Sequence, residues 1–124
     1  MAIHINKVRA TNLDLTDAIS TYVEKRVRAL EKFIDPKDTS AIMDVEVGKT
    51  TKHHQRGDVF RAEFNFSIGG KSFRAVANQA DLYAAIDEVK DEMAREIRSS
   101  RSKEKTLFKR GKAAIKDLLK GFKE

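Results

Sequence analysis

The sequence predicts an α+β fold: a two-layer sandwich in the order β-α-β-β-β-α, with a four-stranded mixed sheet and two helices on one of its faces. Three observations predict it. Residues 60–68 and 73–77 alternate between apolar and polar side chains on either side of Gly69-Gly70. Two longer stretches, 19–34 and 82–97, repeat their apolar residues every three or four positions. Two further alternating runs lie at 2–8 and 41–47. Alternation marks a half-buried strand, and the longer period marks an amphipathic helix. Two such helices can cover the one apolar face of a mixed sheet.

Residues 2–8 read as the first strand, with Ile3 and Ile5 on one face and His4 and Asn6 on the other. Thr16 is the expected N-cap of the first helix, and Asp17 suits the positive end of its dipole. Ile19, Val23, Val27, Leu30 and Ile34 form the seam of that helix. Asp35-Pro36 ends it, because the residue before proline is pushed out of the α region. Ala41, Met43, Val45 and Val47 alternate with Ile42, Asp44 and Glu46 in the second strand. Lys49 to Gly57 reads as a polar loop. Phe60, Ala62, Phe64, Phe66 and Ile68 alternate with Arg61, Glu63, Asn65 and Ser67 in the third strand, the strongest such signal in the chain. Gly69-Gly70 is a hairpin turn, since glycine tolerates the positive φ that such turns need. Phe73, Ala75 and Ala77 mark the returning strand. Asn78 followed by Asp81 resembles a capping box with Asp in place of Glu. Leu82, Ile86, Val89, Met93 and Ile97 carry the second helix to about Ser99. A basic tail, 106–124, follows as a helical or flexible arm. On it Phe108, Ile115, Leu118, Leu119 and Phe122 make an apolar stripe, weakened by Gly111 and Gly121.

The 124 residues fit one domain. Charge is unevenly spread. The last thirty positions hold eleven Lys and Arg against four acids, a net +7, while the whole chain carries +6. A nearly neutral body with a cationic end favours a polyanionic partner, because each neutralised phosphate releases condensed counterions. Nucleic acid ranks first and an acidic membrane surface second. The absence of Cys excludes disulfides, thiolate nucleophiles and Cys-based zinc sites. No apolar run approaches the roughly 18 residues that span a bilayer. The N-terminus shows no signal-peptide pattern. A cytoplasmic protein is expected.

The cations fall in two groups. Lys25, Arg28 and Lys32 lie within a sector of about 60° on the first helix, away from its seam. Glu24 and Glu31 flank them. On the second helix Arg95 and Arg98 lie opposite the Leu82/Val89/Met93 seam, and Arg101, Lys103 and Lys105 continue the run. Asp87 and Asp91 share the earlier part of that face. Either face alone reads as an ordinary solvated surface. Two basic faces on neighbouring helices make a cationic groove suited to an RNA backbone, where Arg adds bidentate phosphate contacts.

Catalytic and metal chemistry find no support. Gly70-Lys71-Ser72 resembles the end of a phosphate-binding loop, but that pattern needs glycine at position 65, which is Asn65, and a helix after Ser72. His53 and His54 are adjacent in a loop without a nearby Cys or acid, so they read as ordinary residues. No cofactor, metal, catalytic residue or small-molecule substrate is expected.

The Tyr22-Val23-Glu24-Lys25-Arg26 segment, Leu30-Glu31-Lys32-Phe33 and above all Asp81-Leu82-Tyr83-Ala84-Ala85-Ile86-Asp87 resemble the ribosome hibernation-promoting factor and ribosome-associated inhibitor A family. The resemblance covers residues 1–105 and makes them a ribosome- and RNA-binding domain with a fold similar to double-stranded-RNA-binding domains. It implies a non-enzymatic translation inhibitor and stress-response factor on the small ribosomal subunit. Such a factor contacts rRNA in the decoding channel and occludes messenger and transfer RNA. The family's basic positions correspond to Arg26, Lys32, Arg95, Arg101, Lys103 and Lys105. Ala29 and Glu92 stand where relatives carry Lys. The chain is too short for the extra dimerisation domain of the long form, so a short-type factor, monomeric off the ribosome, is expected. A generic duplex-RNA-binding module without ribosome preference is the alternative, and an adaptor acting through the tail is the third reading.

Overall fold

The computed structural model describes the backbone of residues 2–51 and 58–121 and the side chains of residues 2–50 and 59–112. His53 and His54 lie outside the described residues, as do the side chains of Ile115, Leu118, Leu119 and Phe122. The elements are β1 (His4–Thr11), α1 (Asp17–Arg28), a 3-10 turn (Glu31–Phe33), β2 (Ile42–Thr51), β3 (Asp58–Ile68), β4 (Lys71–Gln79) and α2 (Leu82–Gly121). The sheet order is β1-β2-β3-β4, with β1 parallel to β2 and the other pairs antiparallel. The expected α+β architecture and mixed four-stranded sheet are therefore present.

Burial follows the alternation. Met43, Val45 and Val47 from β2, Ala62, Phe64 and Phe66 from β3, and Ala75 and Ala77 from β4 all enter one core. Val23, Val27, Leu30 and Ile34 meet them, together with Leu82, Ile86, Val89, Met93 and Ile97. At about 25 cal/mol per Å² of apolar surface removed from water, this layer is the main source of stability. Gly69 (φ 55°) and Gly70 (φ 80°) both adopt positive φ at the β3–β4 turn, which a side chain would strain.

Three boundaries before the third strand differ from the sequence expectation, each for a physical reason. β1 runs on to Thr11 instead of stopping at residue 8, because a bulge between Ile5 and Lys7 resets the alternation and returns Val8 and Ala10 to the core side. Lys49 to Thr51 belong to β2, paired with Phe60, Val59 and Asp58, so the polar loop begins later. Thr16 caps α1 as expected, accepting from the Ile19 N–H at 3.2 Å. The helix nevertheless stops at Arg28, and i→i+3 bonds from Leu30 to Val27 and from Phe33 to Leu30 tighten the chain into the 3-10 turn. Leu30 and Ile34 stay buried through this change of winding.

The second helix starts and ends later than its sequence signals. Asn78 is locked in the β3–β4 ladder opposite Arg61, so it cannot cap. Asp81 does so, accepting from the Ala84 N–H at 3.1 Å. α2 then continues for 40 residues, past Ser99 and through Gly111 to Gly121. No proline interrupts that stretch, and Lys, Glu, Ala and Leu, all good helix formers, dominate it.

The outer face of the sheet neutralises its own charge. Glu63 lies there with its side chain only 12% exposed. It accepts from Arg61 (2.6 Å), Arg74 (2.8 Å) and Asn65 (2.8 Å). Burial pushes its pKa up, but these hydrogen bonds and the Arg61 charge prevail and bring it down to about 2. A carboxylate lowered on folding stabilises the protein above its unfolded pKa near 4.5 and loses that contribution as pH falls toward 2. Glu63→Gln is expected to cost at most about 3 kcal/mol at neutral pH. It should also flatten the loss of stability on acidification, as followed by chemical denaturation between pH 7 and pH 2.5.

Candidate nucleic-acid interface

α1 and α2 are fastened by one polar and aromatic joint. Tyr22 and Arg26 are four residues apart on α1, and Tyr83 and Asp87 have the same spacing on α2, so each pair shares a helix face. The Tyr22 hydroxyl donates to Asp87 Oδ1 at 2.6 Å, and Arg26 donates to the same hydroxyl at 2.8 Å. Arg26 Nε also pairs with Asp87 Oδ1 at 2.8 Å. The Arg26 guanidinium lies over the Tyr22 ring, 4.9 Å from its centroid, and Tyr83 meets Tyr22 edge-on at 4.8 Å. The Tyr22 hydrogen bond raises the pKa of Arg26, so the cation is fixed at the joint. The Asp81–Asp87 motif is thereby accounted for. Asp81 caps, Leu82, Ala85 and Ile86 are buried, and Tyr83 and Asp87 face α1.

Beyond this joint the chain gathers cations around a single aromatic ring. Phe33 sits in the 3-10 turn. Lys32 Nζ is 5.1 Å from its ring centroid, and the Arg98 guanidinium reaches over it at 5.8 Å from α2. Arg101 donates to the Phe33 carbonyl oxygen at 2.5 Å. Lys71 of β4 pairs with Glu104 and ties the hairpin to the same stretch of α2. Lys32, Arg98 and Arg101 are all exposed. Cation–π contacts of this kind are worth about 0.5–1 kcal/mol at exposed sites. They orient the charges without neutralising them.

The other nominated cations have different surroundings. Lys25, Lys103 and Lys105 are exposed and have no ion pair among the described residues. Arg95 is 66% exposed and pairs with Glu92 at 2.5 Å, which raises its pKa. Glu92, one of the two departures from the family pattern, thus offsets a neighbouring cation. Ala29, the other, is the C-cap of α1. Arg28 turns inward. It donates to the Ile3 carbonyl oxygen at 2.5 Å and to Glu31 at 3.2 Å. Glu31 accepts from the Ile3 N–H at 2.7 Å, so the pair brackets both backbone groups of one residue. Burial pushes the Glu31 pKa up, but the Ile3 bond and Arg28 hold it below its usual value. The organising role of Phe33, and the tyrosines of the joint, were missed from sequence. Their only signal was aromatic residues beside cations at helix spacing.

Among the described residues no group of three or more His, Asp or Glu is placed to hold a metal ion. No helix among them is long and apolar enough to cross a membrane. The fold and the cation cluster define a small α+β binding module with one basic end. Residues 7–105 match the model of the sigma 54 modulation protein / S30EA ribosomal protein family, and the chain belongs to that family.

The ribosome hibernation promotion factor of Deinococcus radiodurans is 27% identical over 99 residues, covering 80% of this chain and 50% of that protein. The ribosome hibernation promoting factor of Azotobacter vinelandii is 30% identical over 92 residues, covering 74% of this chain and 78% of that one. The N-terminal domain of Thermus thermophilus Protein Y superposes with a TM-score of 0.66 at 32% identity, covering 77% of this chain and 96% of that domain. A ribosomal subunit interface protein from Coxiella burnetii shares the fold, with a TM-score of 0.61 at 13% identity, covering 77% of this chain and 98% of that one. The chain spans about half the length of the Deinococcus relative.

The joint predicts a separable stability effect. Asp87→Ala leaves Arg26 and the Tyr22 hydroxyl without their shared acceptor. A loss of about 1 kcal/mol is expected from these half-exposed partners. It is read as a Tm lowered by several degrees in thermal unfolding, and an unchanged Tm contradicts the assigned role.

Proposed function

We propose that this chain is a ribosome-binding translation inhibitor that promotes hibernation by occupying the decoding channel of the small subunit. The observation that carries the reading is the exposed, unneutralised cluster of Lys32, Arg98 and Arg101 around Phe33, contributed by two elements that meet at one end of the sandwich. Family membership supports a ribosomal partner. Lys105 continues the same face of α2, and Lys25 and Lys103 add exposed charge elsewhere on the helices. Arg26 and Arg95 contribute charge that is partly offset by Asp87 and Glu92. Arg28 serves the fold and is left out of the contact set.

The mechanism is steric and electrostatic, and the protein is not an enzyme. A pre-folded body sets its cations against rRNA phosphates and fills space that messenger and transfer RNA need. Recognition is of backbone and shape, with few base-edge contacts in duplex regions. Residues 106–124 act as an added basic arm. Among residues 105–112 four cations and no acid lie along the exposed helix, suited to a polyanion. Off the ribosome the protein is a cytoplasmic monomer without a cofactor.

Co-sedimentation with small subunits tests the reading. With about six phosphate contacts, affinity is expected to fall roughly a thousandfold between 50 and 200 mM salt. Salt-insensitive binding, or equal affinity for an unrelated RNA duplex, counts against it.

Charge reversal separates binding from folding. Lys32→Glu with Arg98→Glu should lower the salt slope by about two, while the loss of two exposed cation–π contacts lowers Tm by no more than a few degrees. Arg28→Glu should lower Tm. Deleting residues 106–124 should weaken binding less than the double reversal does.

A further inference from the structure

A cavity of about 300 Å³ opens beside the cation cluster, between the 3-10 turn, the Gly69-Gly70 hairpin and α2. Phe33 and Phe73 supply aromatic lining, and Arg101 and Lys71 stand among its polar residues. Asp35, Asp38 and Glu104 bring three carboxylates to the same cavity, Glu104 being paired with Lys71.

We propose that this cavity receives one unstacked RNA base bearing an exocyclic amino group, with its phosphate held outside by Lys32, Arg98 and Arg101. The proposal rests on the RNA-binding reading and deepens it, from a backbone-only contact to one that reads a base. Three observations carry it.

Size and lining come first. The volume is at the lower end for small-ligand sites, which suits a single flat ring and not a helix or a strand. Single-stranded bases are recognised by stacking on aromatic rings, and two line this space.

Continuity is the second. Arg101 lines the cavity and donates to the Phe33 carbonyl, while Lys32 and Arg98 lie over the Phe33 ring. The base site and the phosphate site of a nucleotide on the proposed interface therefore share Phe33 and Arg101.

Charge is the third. Asp35 and Asp38, the two of these carboxylates not paired with a lysine, disfavour a phosphate inside the cavity and accept N–H donors. Asp38 Oδ1 is taken by the Ser40 N–H (2.8 Å) and hydroxyl (2.6 Å). These bonds keep the Asp38 pKa below its usual value, so it remains an acceptor. Its Oδ2 has no hydrogen-bond partner among the described residues and lies beside Gly69. Asp35 likewise accepts the Lys37 N–H through Oδ1 at 2.9 Å. Acidic side chains accept from base amino groups, as in contacts to cytosine N4. Uracil has no such group.

Nucleoside monophosphates titrated into the ¹⁵N-labelled full chain test the site. CMP and AMP should shift the Gly69 and Ser100 amides at lower concentration than UMP does. Shifts confined to Lys32 and Arg98, or equal responses to CMP and UMP, overturn the proposal. Ser100 also lines the cavity, half-buried on α2. Ser100→Phe fills the space and removes no cation. It should weaken small-subunit binding about tenfold or more and leave the salt slope unchanged. Asp38→Asn should narrow the difference between CMP and UMP. If Ser100→Phe binds like the parent, the base site is wrong and the RNA-binding reading stands. If the parent itself fails to bind subunits, the broader reading is what fails.

Discussion

Everything at the basic end depends on α1 and α2 holding one lateral position. The core alone does not set it, because apolar side chains tolerate sliding better than directional bonds do. The Tyr22–Arg26–Asp87 group supplies direction. One carboxylate oxygen receives both a phenol and a guanidinium, and the tyrosine ring lies beneath that guanidinium. The Arg28–Glu31 bracket around Ile3 performs a similar task where α1 ends, tying it to the start of the chain. Just beyond these two fasteners the chain turns and presents Phe33 to α2. A cation that looks free in sequence is thus spent on geometry twice, so that others can stay unpaired at a fixed place.

The distribution of charge across the molecule follows the same division. On the sheet's outer face Arg61 and Arg74 converge on Glu63, and Asn6 donates to Asp44. Opposite signs meet there at hydrogen-bond distance, so part of the charge is offset locally. Around Phe33 the cations touch a π face and a carbonyl oxygen, which orient them without cancelling their charge. Two surfaces of the same small body therefore differ greatly in their pull on a polyanion. That difference orients an encounter before any contact forms.

Much of the fold was legible because it is written in local periodicity. The Phe60–Ile68 alternation, the Gly69-Gly70 turn and the two apolar seams each announce an element within a dozen residues. What was not legible depends on partners distant in sequence. The end of α1 at Arg28 reflects Glu31 reaching Ile3, twenty-eight positions away. The cap at Asp81 reflects Asn78 being held by a strand. Of the candidate site, the composition of the basic set was readable and its wiring was not. The helical wheel placed Lys25, Arg28 and Lys32 together. A change of winding after Arg28 and an inward turn of that side chain separate them. Conversely Lys32 and Arg98 converge on the Phe33 ring and Arg101 on its carbonyl, a meeting that no spacing rule predicts.

The uninterrupted course of α2 carries a consequence of its own. Forty residues of helix extend about 60 Å, and the turns up to Ile97 are seated on the core. The distal turns are consequently in rotational register with the sheet, as the threads of a screw are with its head. Adding one residue near position 106 would swing Lys109, Arg110 and Lys112 by about 100° around the axis while the sandwich remained untouched. Adding seven would nearly restore the heading and lengthen the reach by about 10 Å. In this protein the aim of the basic arm is therefore a matter of phase, held by the same helix that fills the core.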